Sequence, residues 1–298
     1  MMLRRATRLF LLATAASFPF VAGCKSKEPA APPVATASVQ LSRSKAPLGS
    51  PIDITYKFVV ANDANFTEEH NVMVHVVDSD NELLFTFDHV PPTPTTQWKA
   101  GQTIEYTTTE FIPVYPYVGE AAVEVGLYSK QNQRRQPLAG GEDAGQRAYK
   151  VATLALQPQT ENVYVVFKDG WHPAEVAEKN AAVEWQWTKR VGTLAFKNPK
   201  KDCVIYLDVD HPASVFPEPQ QVDVTVAGQR VEQFTLNAGD RTLKKIPVTA
   251  SQFGSADTVE VQIAVDKTYV PATLNAGVNK DPRELGVRVF HAFVQPAS

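Results

Sequence analysis

A chain of 298 residues that is 44% hydrophobic and 20% charged has a globular composition and length for about two domains of ordinary size. Its 29 basic and 32 acidic residues are mixed along the sequence and leave a formal charge of −3, which excludes the basic footprint of a nucleic-acid partner. Disordered and collagen-like classes are excluded by the same figures.

The chain begins with Arg4, Arg5 and Arg8, followed by an apolar segment from Leu9 to Gly23 that contains Pro19. This is the three-part pattern of a secretory signal, residues 1–23. Its apolar part is too short to cross a bilayer of about 30 Å comfortably as a helix. The tetrapeptide "VAGC", Val21 to Cys24, resembles the lipobox of bacterial lipoproteins. The resemblance implies that Cys24 carries a diacylglycerol and an acylated amino terminus, so that the protein sits in the cell envelope on a lipid anchor. Two or more acyl chains, each methylene contributing about 0.8 kcal/mol, anchor stably. Lys25 stands where members retained in the inner membrane commonly carry Asp, which by the same resemblance favours the outer membrane.

Residues 24–38 follow as a lipidated tether, rich in Pro, Ala and Ser and without apolar periodicity. From there strand signals dominate. "IDITYKFVV", "NVMVHVVD", "ELLFTFDHV", "TIEYTTTEF", "AAVEVGLYS" and "YKVATLALQ" are short, β-branched or aromatic, and separated by turn material. They predict an immunoglobulin-like β-sandwich over residues 39–158. Residues 159–298 repeat the pattern in eight or nine runs and predict a second sandwich of jelly-roll type. The fold class is therefore all-β, two tandem sandwiches, with a single helical turn expected in "PAEVAEKNAA", Pro173 to Ala182.

Several stretches of the second domain, "EWQWT" from Glu184, "KNPKKDCVIYLDVD" from Lys197, "FPEPQQVDVTV" from Phe216, "VDKTYVPATL" from Val265 and "DPRELGVRVFHAFV" from Asp281, resemble a β-sandwich module of bacterial polysaccharide-associated proteins, often found beside glycosyltransferases. "VEVGLYSKQNQRRQPL", Val123 to Leu138, is similar to a hairpin in extracytoplasmic sandwich domains of membrane glycosyltransferases. These resemblances imply a polysaccharide setting and bring no catalytic residues with them.

Catalytic signatures are missing: there is no nucleophile elbow, phosphate loop, dinucleotide fingerprint, HExxH or CxxC. The expectation is a protein that is not an enzyme. Trp185 and Trp187, two apart on a strand, share one face, and Trp171 precedes them in a "DGW" turn. Flat indoles stack on sugar rings and form a carbohydrate platform; on an inner face they fill the core instead. Trp98 is a further loop candidate. Asp208 and Asp210 in "LDVDHP" also share a face, as a calcium site, as a metal-binding carboxylate pair of the glycosyltransferase kind, or as a solvent-facing edge with Leu207 and Val209 turned inward. No cofactor is expected beyond a candidate structural calcium.

His70, His75, His89, His172, His211 and His291 lack metal-ligand spacing and read as solvated or structural. Cys203, without a partner once Cys24 is lipidated, reads as a small buried hydrophobe. Arg283 is placed to pair with Glu284 or a distant acid. Taken together these features predict a non-catalytic envelope lipoprotein that binds polysaccharide or assembles with an envelope protein. The alternatives are a carbohydrate-active enzyme or enzyme subunit, and a protein-binding scaffold or adhesion lipoprotein that uses strand edges.

Overall fold

The computed structural model describes residues 31–211, 218–274 and 280–297. Cys24 lies outside the described residues. The segment from Pro33 to Ser298 forms one compact body whose described regular structure is almost entirely strand.

The first sandwich is built from eleven strands. They are β1 (Ala35–Leu41), β2 (Lys45–Pro47), β3 (Pro51–Val60), β4 (His70–Val77), β5 (Leu83–Thr86), β6 (Thr103–Phe111), β7 (Gly119–Ser129), β8 (Arg135–Gln136), β9 (Leu138–Ala139), β10 (Glu142–Gly145) and β11 (Ala148–Gln157). One sheet runs β6-β3-β1-β9. The other runs β10-β11-β7-β4-β5, with β2 added to β11 and β8 to β7. Alternation drives the stacking: along β3 the residues Ile52, Ile54, Tyr56, Phe58 and Val60 are buried and face Val72, Val74, Val76, Val123 and Val125 of the opposing sheet in a single apolar core. Residues 35–38, assigned to the tether by composition, are instead the first half of β1. Ala35 and Ala37 are buried there and pair with Val60 and Phe58.

Among the described residues the second sandwich has ten strands. They are β12 (Val165–Phe167), β13 (Glu175–Ala177), β14 (Asn180–Trp187), β15 (Val191–Lys197), β16 (Cys203–Asp210), β17 (Gln220–Val226), β18 (Gln229–Leu236), β19 (Arg241–Val248), β20 (Thr258–Val265) and β21 (Arg288–Pro296). Two five-stranded sheets, β12-β15-β20-β17-β18 and β13-β14-β21-β16-β19, enclose a Val- and Ile-rich core. Two short helices, α1 (Ala250–Phe253) and α2 (Pro271–Leu274), fill connections. Thr249 and Gln252 close α1 with reciprocal side-chain and backbone hydrogen bonds.

The helical turn expected at Pro173–Ala182 is a hairpin: β13 and β14 turn at Glu178 and Lys179 and pair Glu175 with Trp185. Ala, Glu and Lys are good helix formers, but propensity is a weak prior, and cross-strand pairing overrides it here.

β16 is buried on both faces. Leu207 and Val209 point into the core, while Tyr206, Asp208 and Asp210 lie on the outer face, against which the first sandwich packs. Phe111 of β6 stacks flat on His291, with centroids 3.9 Å apart, and Lys245 Nζ reaches Asp53 Oδ1 at 2.6 Å. No described helix is long and apolar enough to cross a membrane.

Candidate functional site

β21 pairs with β16 along its whole length, from Asp210↔Arg288 to Cys203↔Pro296. With β14 it pairs only at Gln186↔Val289 and Trp187↔Arg288, after which β14 turns toward β13. The two strands therefore fork. A cavity of about 500 Å³ opens in the fork, within the usual range for a ligand site. Its lining includes Trp185 from β14, Phe290, His291 and Arg241 from the sheet, Phe167 of β12 and the first sandwich's Phe111.

A bulge shapes one wall. Val209 opposes Val289 while Asp208 opposes His291, so Phe290 is the extra residue. The bulge lets Phe290 and its neighbours project on the outer side, beside Arg288. The Arg241 guanidinium lies 3.8 Å over the Phe290 ring, and Arg288 lies 5.1 Å over Trp185. Trp185 approaches Phe290 at 6.0 Å and is half-buried; its Nε1 is buried with no hydrogen-bond partner.

Beneath this layer the carboxylates are taken up by cations. Arg241 donates from Nε and Nη2 to Asp208 at 2.9 and 2.5 Å, and His291 Nδ1 lies 3.0 Å from Asp208 Oδ2. Arg288 donates twice to Asp210, at 2.6 Å each. Burial alone would raise the Asp208 pKa, but hydrogen bonds from Arg241 and His291 override it and hold the carboxyl below its ordinary value; the same pairing raises Arg241. None of the three sequence readings of this pair fits the structure in full, although Leu207 and Val209 do turn inward. The acids lie on a central strand and are only 6% and 7% exposed, so they are no solvent-facing edge. They also do not fit a calcium or glycosyltransferase-type metal site, because a cation would meet two bidentate guanidiniums. Among the described residues no group of three or more His, Cys, Asp or Glu is arranged to hold a metal.

The tryptophans do not form one platform. Trp187 shares the Trp185 face, as the spacing requires, but is 5% exposed against Tyr269. Trp171 donates from Nε1 to Thr193 O at 2.8 Å, sits edge-on to Phe167 and packs on the second core. Trp98 is 4% exposed in the first core, tilted against Phe58 and edge-on to Phe66, with Nε1 donating to Thr93 O. Only Trp185 of the four lines the fork.

The remaining candidates are structural in their contacts. His70 Nδ1 donates to Glu68 O, His172 Nε2 to Glu284 O and His211 Nε2 to Leu236 O, while His89 meets Tyr106 Oη and His75 lies near Asp88. Arg283 pairs with Asp281 and the distant Glu175 rather than with Glu284, which accepts from Thr268. Cys203 is buried, and burial pushes its thiol up to about 11. The sequence reading missed Arg241, Arg288, Phe290 and Phe111, and read His291 only as a solvated or structural histidine. Asp208 and Asp210 were the signal that could have found the arginines, since buried acids require cationic partners.

No family model and no curated protein matches the chain. Among solved structures it is similar to the CBM22-1–CBM22-2 tandem of Paenibacillus barcinonensis Xyn10C, with 10% identity, 88% of this chain and 91% of that one covered, and a TM-score of 0.28. It is also similar to the CBM51-2 and INT domains of Clostridium perfringens ZmpB, with 11% identity, 62% and 39% covered, and a TM-score of 0.25. A family GH115 4-O-methyl-α-glucuronidase specific for decorated arabinogalactans gives 13% identity and a TM-score of 0.31 over 49% of this chain, which spans 19% of that enzyme. All three overlay loosely, and none fixes a ligand for this chain.

Proposed function

We propose that the protein is a non-catalytic carbohydrate-binding or assembly module of the bacterial cell envelope, anchored through acylated Cys24 and binding glycan in the fork between β14 and β21. The observation that carries this reading is the cleft itself. It sets the aromatic rings of Trp185, Phe290 and Phe111, each covered on one side by Arg288, Arg241 or His291, beside the polar groups of Arg241, His291 and Glu184. A sugar ring presents an apolar face to the first and hydroxyls to the second. Asp208 beneath the cleft is held ionised by Arg241 and His291, which suits a fixed anion of a scaffold and not a proton donor.

The test is a glycan array probed with the purified chain and with Trp185→Ala. Retention of a glycan by the first and its loss from the second supports the reading. Equal retention by both contradicts it. Anchoring is tested separately: Cys24→Ser should release the protein from membranes, and unchanged attachment with normal processing would refute the lipoprotein assignment.

A further inference from the structure

The fork is the end of a longer feature. The cavity of about 500 Å³ meets β21 from Val289 to Phe293. A second, of about 570 Å³, reaches Ala292 and Phe293 and shares Gly49 and Phe167 with the first. A third, of about 330 Å³, runs from Phe293 to Pro296 and shares Asn162 and Val163 with the second. The pairing explains the alignment. β14 leaves β21 after Gln186↔Val289, so from Phe290 onward one side of β21 has no paired strand among the described residues. The eight residues from Val289 to Pro296, at about 3.3 Å each, span about 26 Å, and the three cavities follow one another along this edge as a groove.

We infer that the groove receives an extended glycan, gripped along several consecutive rings, rather than a single sugar at a chain end. The inference rests on the carbohydrate reading of the fork and adds the class of ligand. A site for a terminal sugar is closed beyond the first ring, whereas this one continues. Its character also changes along the way, from the aromatic faces of Trp185 and Phe290 to the polar Lys45, Glu161 and Gln295 at the far end. A polysaccharide segment matches both, because each ring carries an apolar face and a hydroxyl rim.

The experiment is calorimetric titration with four oligosaccharide ladders, from mono- to hexasaccharide: β-1,4-glucan, β-1,4-xylan, α-1,4-glucan and β-1,4-linked N-acetylglucosamine. In a ladder that binds, affinity should climb at least about tenfold between disaccharide and hexasaccharide. Lys45→Ala, an exposed change at the far end, should weaken the hexasaccharide several-fold and leave the disaccharide unchanged. Trp185→Ala should weaken both. A plateau at the disaccharide with Lys45→Ala indifferent overturns the extended-chain inference and leaves the fork reading standing. Silence of all four ladders overturns both, and saturable binding of an eight-residue Val/Thr peptide in their place would assign the free edge of β21 to strand addition instead.

Discussion

At Gly170 the backbone φ is +81°, and a Cβ built there would lie 1.8 Å from Val191 O. Two independent penalties meet at this residue, a left-handed backbone and a clash with main chain that cannot rotate away. Gly170→Ala should therefore cost about 2 kcal/mol or more of unfolding free energy, read from denaturant midpoints at unchanged slope. An effect within experimental error would show that the turn before Trp171 relaxes freely. Asp208 gives the second residue-scale expectation. Its folded-state pKa is held below the ordinary value of 3.8, so the stabilisation is fully present above that value and is lost as the pH falls below it. Asp208→Asn should cost about 2 kcal/mol at neutral pH, discounted for the partly exposed Arg241, and should flatten the acid limb of the stability profile. An unchanged acid limb would show that the pair contributes nothing to folding. That Asp208 and Asp210 share a face was legible from their spacing. That the face is covered was not, because burial depends on Arg241 and Arg288, tens of residues away, and on a second sandwich.

Strands were legible wherever alternation was clean, as in "TVEVQIAV" of β20, whose buried positions are Val259, Val261, Ile263 and Val265. Two places resisted. The hairpin of β13 and β14 is written in residues with helical preference and becomes strand through its pairing. The bulge at Phe290 leaves no signature in "VRVFHAF", since one extra residue in a ladder is a property of two strands. Yet these two local irregularities make the fork: one strand departs and the other re-aims its side chains. At β16, Cys203 behaves as its sequence context suggested. With its thiol buried and its pKa raised to about 11, it should react with a thiol reagent only on unfolding in a Cys24→Ser chain, followed by mass spectrometry. Rapid labelling of the native protein would contradict that packing.

On the scale of the whole molecule, the all-β class follows from composition and periodicity, and the structure is all-β. The joint between the sandwiches is another matter. Phe111 on His291 and Asp53 with Lys245 are single residues on different runs, and nothing local in either sequence announces the other. Because Phe111 lines the cleft, the first sandwich helps build the site of the second. Phe111→Ala should accordingly weaken glycan binding by about tenfold, in the range of about 1–1.5 kcal/mol for one aromatic contact. The direct test of the central claim is a calorimetric titration of the glycan retained on the array, against the wild-type chain, Trp185→Ala and Trp171→Phe. A fork site predicts that Trp185→Ala weakens binding by about tenfold or more while Trp171→Phe leaves the affinity unchanged. Undiminished binding by Trp185→Ala, or an equal fall in both variants, would contradict it.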